Sequence, residues 1–387
     1  MSDPVYTLSW PRTLFVWEAT RILHDAKESE LVPWTKQLLR ESFDDEGTPE
    51  TFEAKFSTTT LVLNSWDTPS PTPSTENSPR LWLKALTTDE SRLRAYQSPV
   101  YFAERHSDGL VDSEPSNWIS LGEEFIELIG VMSAGGYFPK ILPKECQDND
   151  QSDSIDVSKE IRRATKLKVD WPLTSEAASL LPDVVVFTLI EYFHDHAQRP
   201  RAAVWHNWDN CGYDYSQYNR ESGEAVYRWR VNALLESHTA ALRLGMVGAE
   251  RGRLIHHFSR VQDTLLADEV ENRKANPVDE VAHAIRMFRA RDANNIDKRA
   301  ALALLAGRLE PKRKYLEGKT SKGDVDDIFK IANTYEIRHR VNQKSEEREE
   351  YLEWMFWNFL SMVRLLDALE ARHEASVASR AANDSSA

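Results

Sequence analysis

The chain has little of what secreted, membrane and cofactor-binding proteins depend on. Only two of its 387 residues are cysteine, Cys146 and Cys211, which argues against a disulfide framework and favours a reducing compartment. Charged residues, Arg12, Glu18 and Arg21, flank the short apolar run 14–17, so we predict no signal peptide. The longest apolar run, 354–363, is about half of the ~20 residues that span a bilayer. We therefore expect a cytoplasmic protein without a membrane segment.

Basic residues are also in deficit. Asp and Glu number 62 against 48 Lys and Arg, a formal net charge of −14, so general binding to polyanions is not expected. A glycine-rich phosphate loop is missing too, because Gly245, Gly248 and Gly252 are separated by bulky residues. The sequence thus gives no reason to expect a nucleotide or another cofactor.

Hydrophobic residues make up 41% of the chain and include 12 Trp, enough to bury a substantial core. Apolar residues recur mostly at helical spacing, which predicts a mainly α protein. We expect an N-terminal α-rich module at 1–146, a central helical module at 157–275 and a C-terminal bundle at 276–373, followed by a disordered tail at 374–387. The acidic stretch 147–156 is the predicted linker.

Helices are predicted at 11–41 with a break near Pro33, at 118–133, 182–196 and 225–237. A minor β element is expected at 58–63 and 80–86, on either side of an exposed Pro/Ser/Thr loop at 68–79. The stretch 204–215 is predicted as a loop, and 242–255 as a hairpin-like segment.

Four helices with short connections, at 278–291, 297–317, 324–338 and 348–373, predict the C-terminal bundle. Its last helix should be the most buried, because six apolar residues follow a 3–4 spacing: Leu352, Met355, Phe356, Phe359, Val363 and Leu366.

The junction of the last two predicted helices carries the leading candidate for chemistry, Arg338 followed by His339. An arginine there can hold and neutralise a phosphate, and a histidine can move a proton of a ribose 2′-hydroxyl without a metal. The residues that follow at 342–345 include no histidine, and Gln343 among them cannot transfer protons. The alternative is that Arg338 caps the helix C-terminus.

A basic stretch, 286–319, has ten positive residues against four negative ones. Its arginines are candidates for binding RNA together with the arginine after His339: Arg286, Arg289, Arg299, Arg313 and Arg340. The alternative is an ordinary solvated helix face, and the scarcity of aromatic residues here argues against a stacking platform for single-stranded RNA.

A second group, His194, His196, His206 and Cys211, has the residue types of a zinc site. Its spacing is poor, because residues i and i+2 of one helix point in different directions. The alternative is simple packing of a histidine-rich helix end, and we assign no metal site.

Two stretches carry a family resemblance. The first comprises LIEYFH at 189–194, CGYDY at 211–215, NRESG at 219–223 and RVNALLE at 230–236. The second runs from IANTYEIRHR at 331–340 into WMFWNFL at 354–360. Over roughly 180–370 the chain resembles the bacterial abortive-infection proteins of the J type (AbiJ), in which a helical module precedes a HEPN-like helical bundle.

The resemblance implies phage defence by contact with RNA, or by its cleavage without a metal. Arg338 and His339 correspond to the family's arginine and the adjacent polar position, whereas the catalytic histidine is replaced by Gln343. The resemblance also implies a homodimer through the last two helices. The competing interpretation is a non-catalytic scaffold whose N-terminal module binds a protein partner.

Overall fold

The protein is mainly α-helical. The computed structural model describes residues 5–44, 47–57, 78–95, 119–143, 155–206, 212–238, 241–258, 260–273, 279–291, 293–334 and 349–384. The chain divides into two compact units, 1–239 (unit 1) and 240–387 (unit 2). The sequence had suggested three modules, with boundaries at 146–157 and 275–276.

Unit 1 contains nine described α-helices and two pairs of strands. The helices are α1 (Arg12–Asp25), α2 (Glu28–Ser42), α3 (Gly47–Ser57), α4 (Pro79–Thr88), α5 (Leu121–Ala134), α6 (Val157–Thr165), α7 (Ser175–Ser179), α8 (Asp183–His196) and α9 (Arg220–Ser237). The strands are β1 (Tyr6–Leu8) and β2 (Leu93–Ala95), which pair in parallel, and β3 (Arg199–His206) and β4 (Gly212–Asn219), which form an antiparallel hairpin.

The first predicted helix is two helices. The break falls at Ala26 and Lys27, which have extended backbone dihedrals, and not at Pro33. Pro33 lies inside α2, where it costs one backbone hydrogen bond. The Glu30 side chain accepts a hydrogen bond from the Lys27 backbone N–H and so supports the start of α2.

The prediction of a strand at 80–86 was wrong, because this segment is α4. Ser78 accepts a hydrogen bond from the backbone N–H of Arg80, and Pro79 occupies the first turn, where its missing N–H is harmless. Leu83 and Leu86, three residues apart, are both fully buried. The other predicted strand, 58–63, lies outside the described residues, as do residues 68–77 of the predicted loop, whereas Ser78 and Pro79 form the start of α4.

The segment predicted as a loop at 204–215 contributes to the β3–β4 hairpin instead. The strands pair from Arg199 opposite Asn219 to His206 opposite Gly212. At the base of the hairpin, α9 packs against the start of β3 so closely that a Cβ on Gly223 would lie 2.4 Å from the Cα of Gln198.

Unit 2 begins with the predicted hairpin, which is confirmed: β5 (Leu242–Leu244) pairs antiparallel with β6 (Leu254–His256). Its described helices are α10 (Arg260–Asn272), α11 (Glu280–Arg289), α12 (Asn295–Leu309), α13 (Arg313–Glu317), α14 (Lys322–Thr334) and α15 (Glu349–Asp384). The predicted tail is helical as far as Asp384, since α15 continues well beyond 373.

The spine predicted for the last helix is confirmed. All six of its apolar residues are at most 1% exposed, and Phe356 stacks on Phe288 of α11 with ring centroids 4.2 Å apart. Leu266 and Val270 of α10 belong to the same core. This shared core explains why α10 folds with the bundle and not with the preceding module.

Candidate functional site

The predicted arginine turn lies between α14 and α15. Helix α14 ends at Thr334 and α15 begins at Glu349. Arg338, His339, Arg340 and Gln343 belong to the connecting segment, which lies outside the described residues.

The other predicted RNA-binding arginines are largely engaged within unit 2. Arg313 donates to Glu317 at 2.9 Å and to Asp326 at 2.7 Å, and its guanidinium lies 4.9 Å from the Phe329 ring centroid. Both carboxylates raise the pKa of Arg313. Arg286 and Arg299 are half-buried.

The rest of the basic stretch is partly neutralised by α15. Arg308 bonds to Asp367 at 3.1 Å and to Glu370 at 2.9 Å, and Lys312 lies 2.7 Å from Glu370. These carboxylates are about 60 residues away in sequence, so a local count of charges could not reveal them. The bundle itself offsets part of the predicted positive surface.

Arg289 is not on the surface. It is 2% exposed and approaches two buried carboxylates, Glu250 at 3.5 Å and Asp263 at 3.6 Å. These long contacts leave its Nε and Nη1 without a hydrogen bond. Burial lowers the pKa of Arg289 and raises that of Glu250. Buried as it is, Arg289 cannot reach a phosphate on an RNA.

Arg289 belongs to a cluster that the backbone of unit 2 assembles, and we call it the Asp263 cluster: Arg243, Glu250, His257, Asp263 and Arg289. In the β5–β6 register Arg243 stands opposite Ile255, and the backbone N–H of His257 donates to the carbonyl of Ala241. Side chains at Arg243 and His257 therefore lie on one face of the hairpin. A bridge between Ile255 and Ala290 brings the end of α11, and with it Arg289, to the same place.

Asp263 is the centre of this cluster. It lies in the first turn of α10, where the helix dipole favours a negative charge, and it is 2% exposed. Its Oδ2 accepts from His257 Nδ1 at 2.5 Å and from Arg243 Nη1 at 3.1 Å, while Oδ1 faces Arg289. An aspartate in this position fixes the orientation of an imidazole and leaves Nε2 for another partner.

The histidines of the suspected zinc group have other contacts. His194 is 1% exposed and shares a hydrogen bond of 3.1 Å with Arg228, whereas His196 contacts the backbone carbonyl of Tyr192 at 2.7 Å. Cys211 lies outside the described residues. Within the described part of the chain, no group of three or more His, Cys, Asp or Glu side chains could hold a metal ion.

Unit 1 has a second buried ionic network, which the sequence did not reveal. Arg199 is fully buried and donates to Glu18 at 2.8 Å and to Glu41 at 3.0 Å. Ser222 and Tyr137 donate to these two carboxylates, each at 2.5 Å. Both glutamates raise the pKa of Arg199 against the effect of burial. The network ties α1, α2, β3 and α9 together.

Sequence reasoning missed both networks because their members are scattered. Glu18 and Ser222 are 204 residues apart, and Arg243 and Asp263 belong to different elements. One signal was available: the hairpin predicted at 242–255 contains Arg243 and Glu250, and His257 follows it after one residue.

No described helix combines the length and the apolar character needed to cross a membrane. Comparison of the chain with protein-family models, with curated proteins and with solved structures finds no match.

Proposed function

We propose that the chain is a cytosolic bacterial defence protein of the AbiJ-like type, whose HEPN-like C-terminal bundle contacts RNA at Arg338 and His339. The observation that carries the proposal is the position of these residues between two helices of one bundle, α14 and α15. Helix α15 contributes the spine of that bundle and directly follows this segment in the sequence.

In this proposal RNA cleavage needs no metal. Arg338 binds the scissile phosphate through its planar guanidinium and neutralises charge that develops there. His339 removes the proton of the 2′-hydroxyl, whose oxygen then attacks the phosphorus and displaces the 5′-oxygen of the next nucleotide. Gln343 can hydrogen-bond but cannot protonate the leaving oxygen, so water has to supply that proton and turnover should be slow.

The test is incubation of purified protein with bulk RNA in EDTA, beside Arg338→Ala. Cleavage by the wild type and none by the variant supports the proposal. Lys330→Ala is the matched control, because it removes an exposed positive charge from the preceding helix and should leave cleavage unchanged. Equal cleavage by wild type and Arg338→Ala, or loss with Lys330→Ala as well, would contradict the assignment.

A homodimer through the last helices is part of the proposal. Two large apolar side chains of α15 are solvent-exposed, Trp354 at 46% and Leu365 at 40%. Exposed apolar residues on a core helix are suited to a helix–helix contact with a second copy. Sedimentation should give a dimer that Trp354→Glu weakens, and a monomeric wild type would count against it.

The second candidate is a non-catalytic scaffold, favoured by the ion pairs that Arg308, Lys312 and Arg313 make within the bundle. Its N-terminal module would bind a protein partner, and the exposed Leu81 of α4 and Val131 of α5 offer apolar surface for one. RNA that stays intact with both wild type and Arg338→Ala, and is retained only at low salt, would favour the scaffold.

A further inference from the structure

We propose that Arg243 and His257, held by Asp263, form a binding site for a phosphoryl group. The site lies on the β5–β6 hairpin and not on the segment that carries Arg338. The inference concerns binding alone, so it stands whether or not the chain cleaves RNA.

The first argument is convergence. Arg243 Nη1 and His257 Nδ1 both lie within 3.1 Å of one oxygen, Asp263 Oδ2. The shared acceptor therefore brings the two donor-bearing side chains together at Asp263. Asp263 is 2% exposed and belongs to the first turn of a 13-residue helix, so it is a fixed anchor for both.

The second argument is access. The side chain of His257 is 33% exposed and that of Arg243 is 18% exposed, whereas those of Asp263 and Arg289 are 1% and 3% exposed. The buried members therefore stand behind the two that a ligand can reach. The buried side also has polar atoms without a hydrogen bond, Arg289 Nε among them.

Charge gives the third argument. Arg243 and Arg289 contact the carboxylate of Asp263, and Arg289 and Arg286 act on Glu250. Three arginines thus face two carboxylates. Burial also raises the pKa of Glu250, which makes this carboxyl group harder to ionise. Counted together with Arg286, which lies outside the cluster as defined, the arginines exceed the carboxylates by one, in a chain whose net charge is −14. An anion is the ligand that balances this excess.

The fourth argument concerns the group that accepts a hydrogen bond from Arg243 Nη2. Its Nη2 donates to the sulfur of Met246 at 3.5 Å, and Met246 is 53% exposed. A thioether is a weak acceptor, whereas a phosphoryl oxygen forms a strong, charge-assisted bond with a guanidinium. The exposed methionine can turn away at little cost. A tetrahedral phosphoryl group can accept from an arginine and a histidine at once, with different oxygens.

The test is calorimetric titration of the full chain with inorganic phosphate, with a nucleoside 5′-monophosphate and with a short RNA. Arg243→Gln and His257→Gln should each lower the affinity about tenfold or more, because each removes a charge-assisted bond. Arg372→Gln and His373→Gln are the matched controls, since both side chains are exposed on α15, and they should bind as the wild type does.

The three ligands distinguish the source of the phosphoryl group. Binding of inorganic phosphate or the monophosphate assigns a free anion or nucleotide, and binding of RNA alone, lost in His257→Gln, assigns a nucleic-acid backbone. No binding of any ligand, or equal binding by all variants, overturns the proposal. If Arg243→Gln does not fold, NMR of the wild type provides the test. The imidazole resonances of His257 must shift on addition of phosphate, and those of His373 must not.

Discussion

Buried charge at single residues is the feature of unit 1 with the clearest physical consequence. Arg199 is 0% exposed and compensates two carboxylates, Glu18 and Glu41. Loss of one member of such a group leaves the others buried without a partner, which costs about 3–5 kcal/mol. Tyr137 completes the network, because its hydroxyl group donates a hydrogen bond to Glu41.

The tyrosines of unit 1 should make its stability fall in alkaline solution. Burial raises the pKa of Tyr137 well above 10, with Glu41 as the second cause, and burial raises that of Tyr192 to about 12. Above pH 10 the unfolded chain loses these protons while the folded chain keeps them. The free energy of unfolding then falls by up to about 1.4 kcal/mol per pH unit for each such tyrosine.

Denaturant unfolding of the wild type and of Tyr137→Phe between pH 8 and 12 measures this effect. The variant should be less stable at pH 8, because Glu41 loses a hydrogen bond, but its stability should decline less steeply above pH 10. Parallel pH profiles for the two proteins would show that Tyr137 does not keep its proton in the folded state.

At the scale of elements, two glycines in helices have opposite roles. A Cβ at Gly223 of α9 would lie 2.4 Å from the Cα of Gln198 and 2.5 Å from the backbone N of Arg199. Backbone atoms cannot turn aside, so Gly223→Ala must push α9 away from β3. We expect a loss of about 1–3 kcal/mol or more.

Gly130 is the matched control, because a Cβ there would meet nothing within 4 Å and the residue is exposed on α5. Gly130→Ala should be neutral or stabilise by up to about 1 kcal/mol through helix propensity. Thermal unfolding monitored by circular dichroism compares the two variants. A Gly223→Ala protein as stable as Gly130→Ala would mean that α9 and β3 are not in close contact.

The helices were predictable from the sequence wherever one apolar face repeats over several turns. Helices α5 and α8 and the spine of α15 follow from that periodicity. The short elements were not predictable. Helix α4 has too few turns, and the β3–β4 hairpin too few alternations, for the spacing of apolar residues to distinguish helix, strand and loop. For α4 the decisive signals were its N-cap, Ser78, and Pro79, together with the helix-favouring Leu, Lys and Ala residues that follow.

The candidate sites divide in a similar way. The sequence identified Arg338 and the basic stretch, but charge counted along the chain could not predict that Arg289 is buried or that Glu370 pairs with Arg308 and Lys312. Such pairings depend on which helices pack together. The Asp263 cluster could not be predicted for the same reason, because it needs the bridge between Ile255 and Ala290.

At the scale of the whole molecule, the chain consists of two units with cores of their own. Phe193 packs against Phe125, Phe138 and Trp171 in unit 1, and Phe356 packs against Phe288 and Trp357 in unit 2. Both side chains are 0% exposed. Substitution of either by alanine should cost about 3–5 kcal/mol in its own unit.

The two costs should appear in different unfolding transitions. In calorimetry, Phe193→Ala should lower one transition temperature and Phe356→Ala the other, and the double variant should show both shifts additively, because residues without shared contacts do not couple. The pH dependence identifies the transitions independently. Every described tyrosine whose pKa is raised belongs to unit 1. Only the transition temperature of unit 1 should therefore fall steeply above pH 10. A single transition that both variants lower equally would show that the units unfold as one.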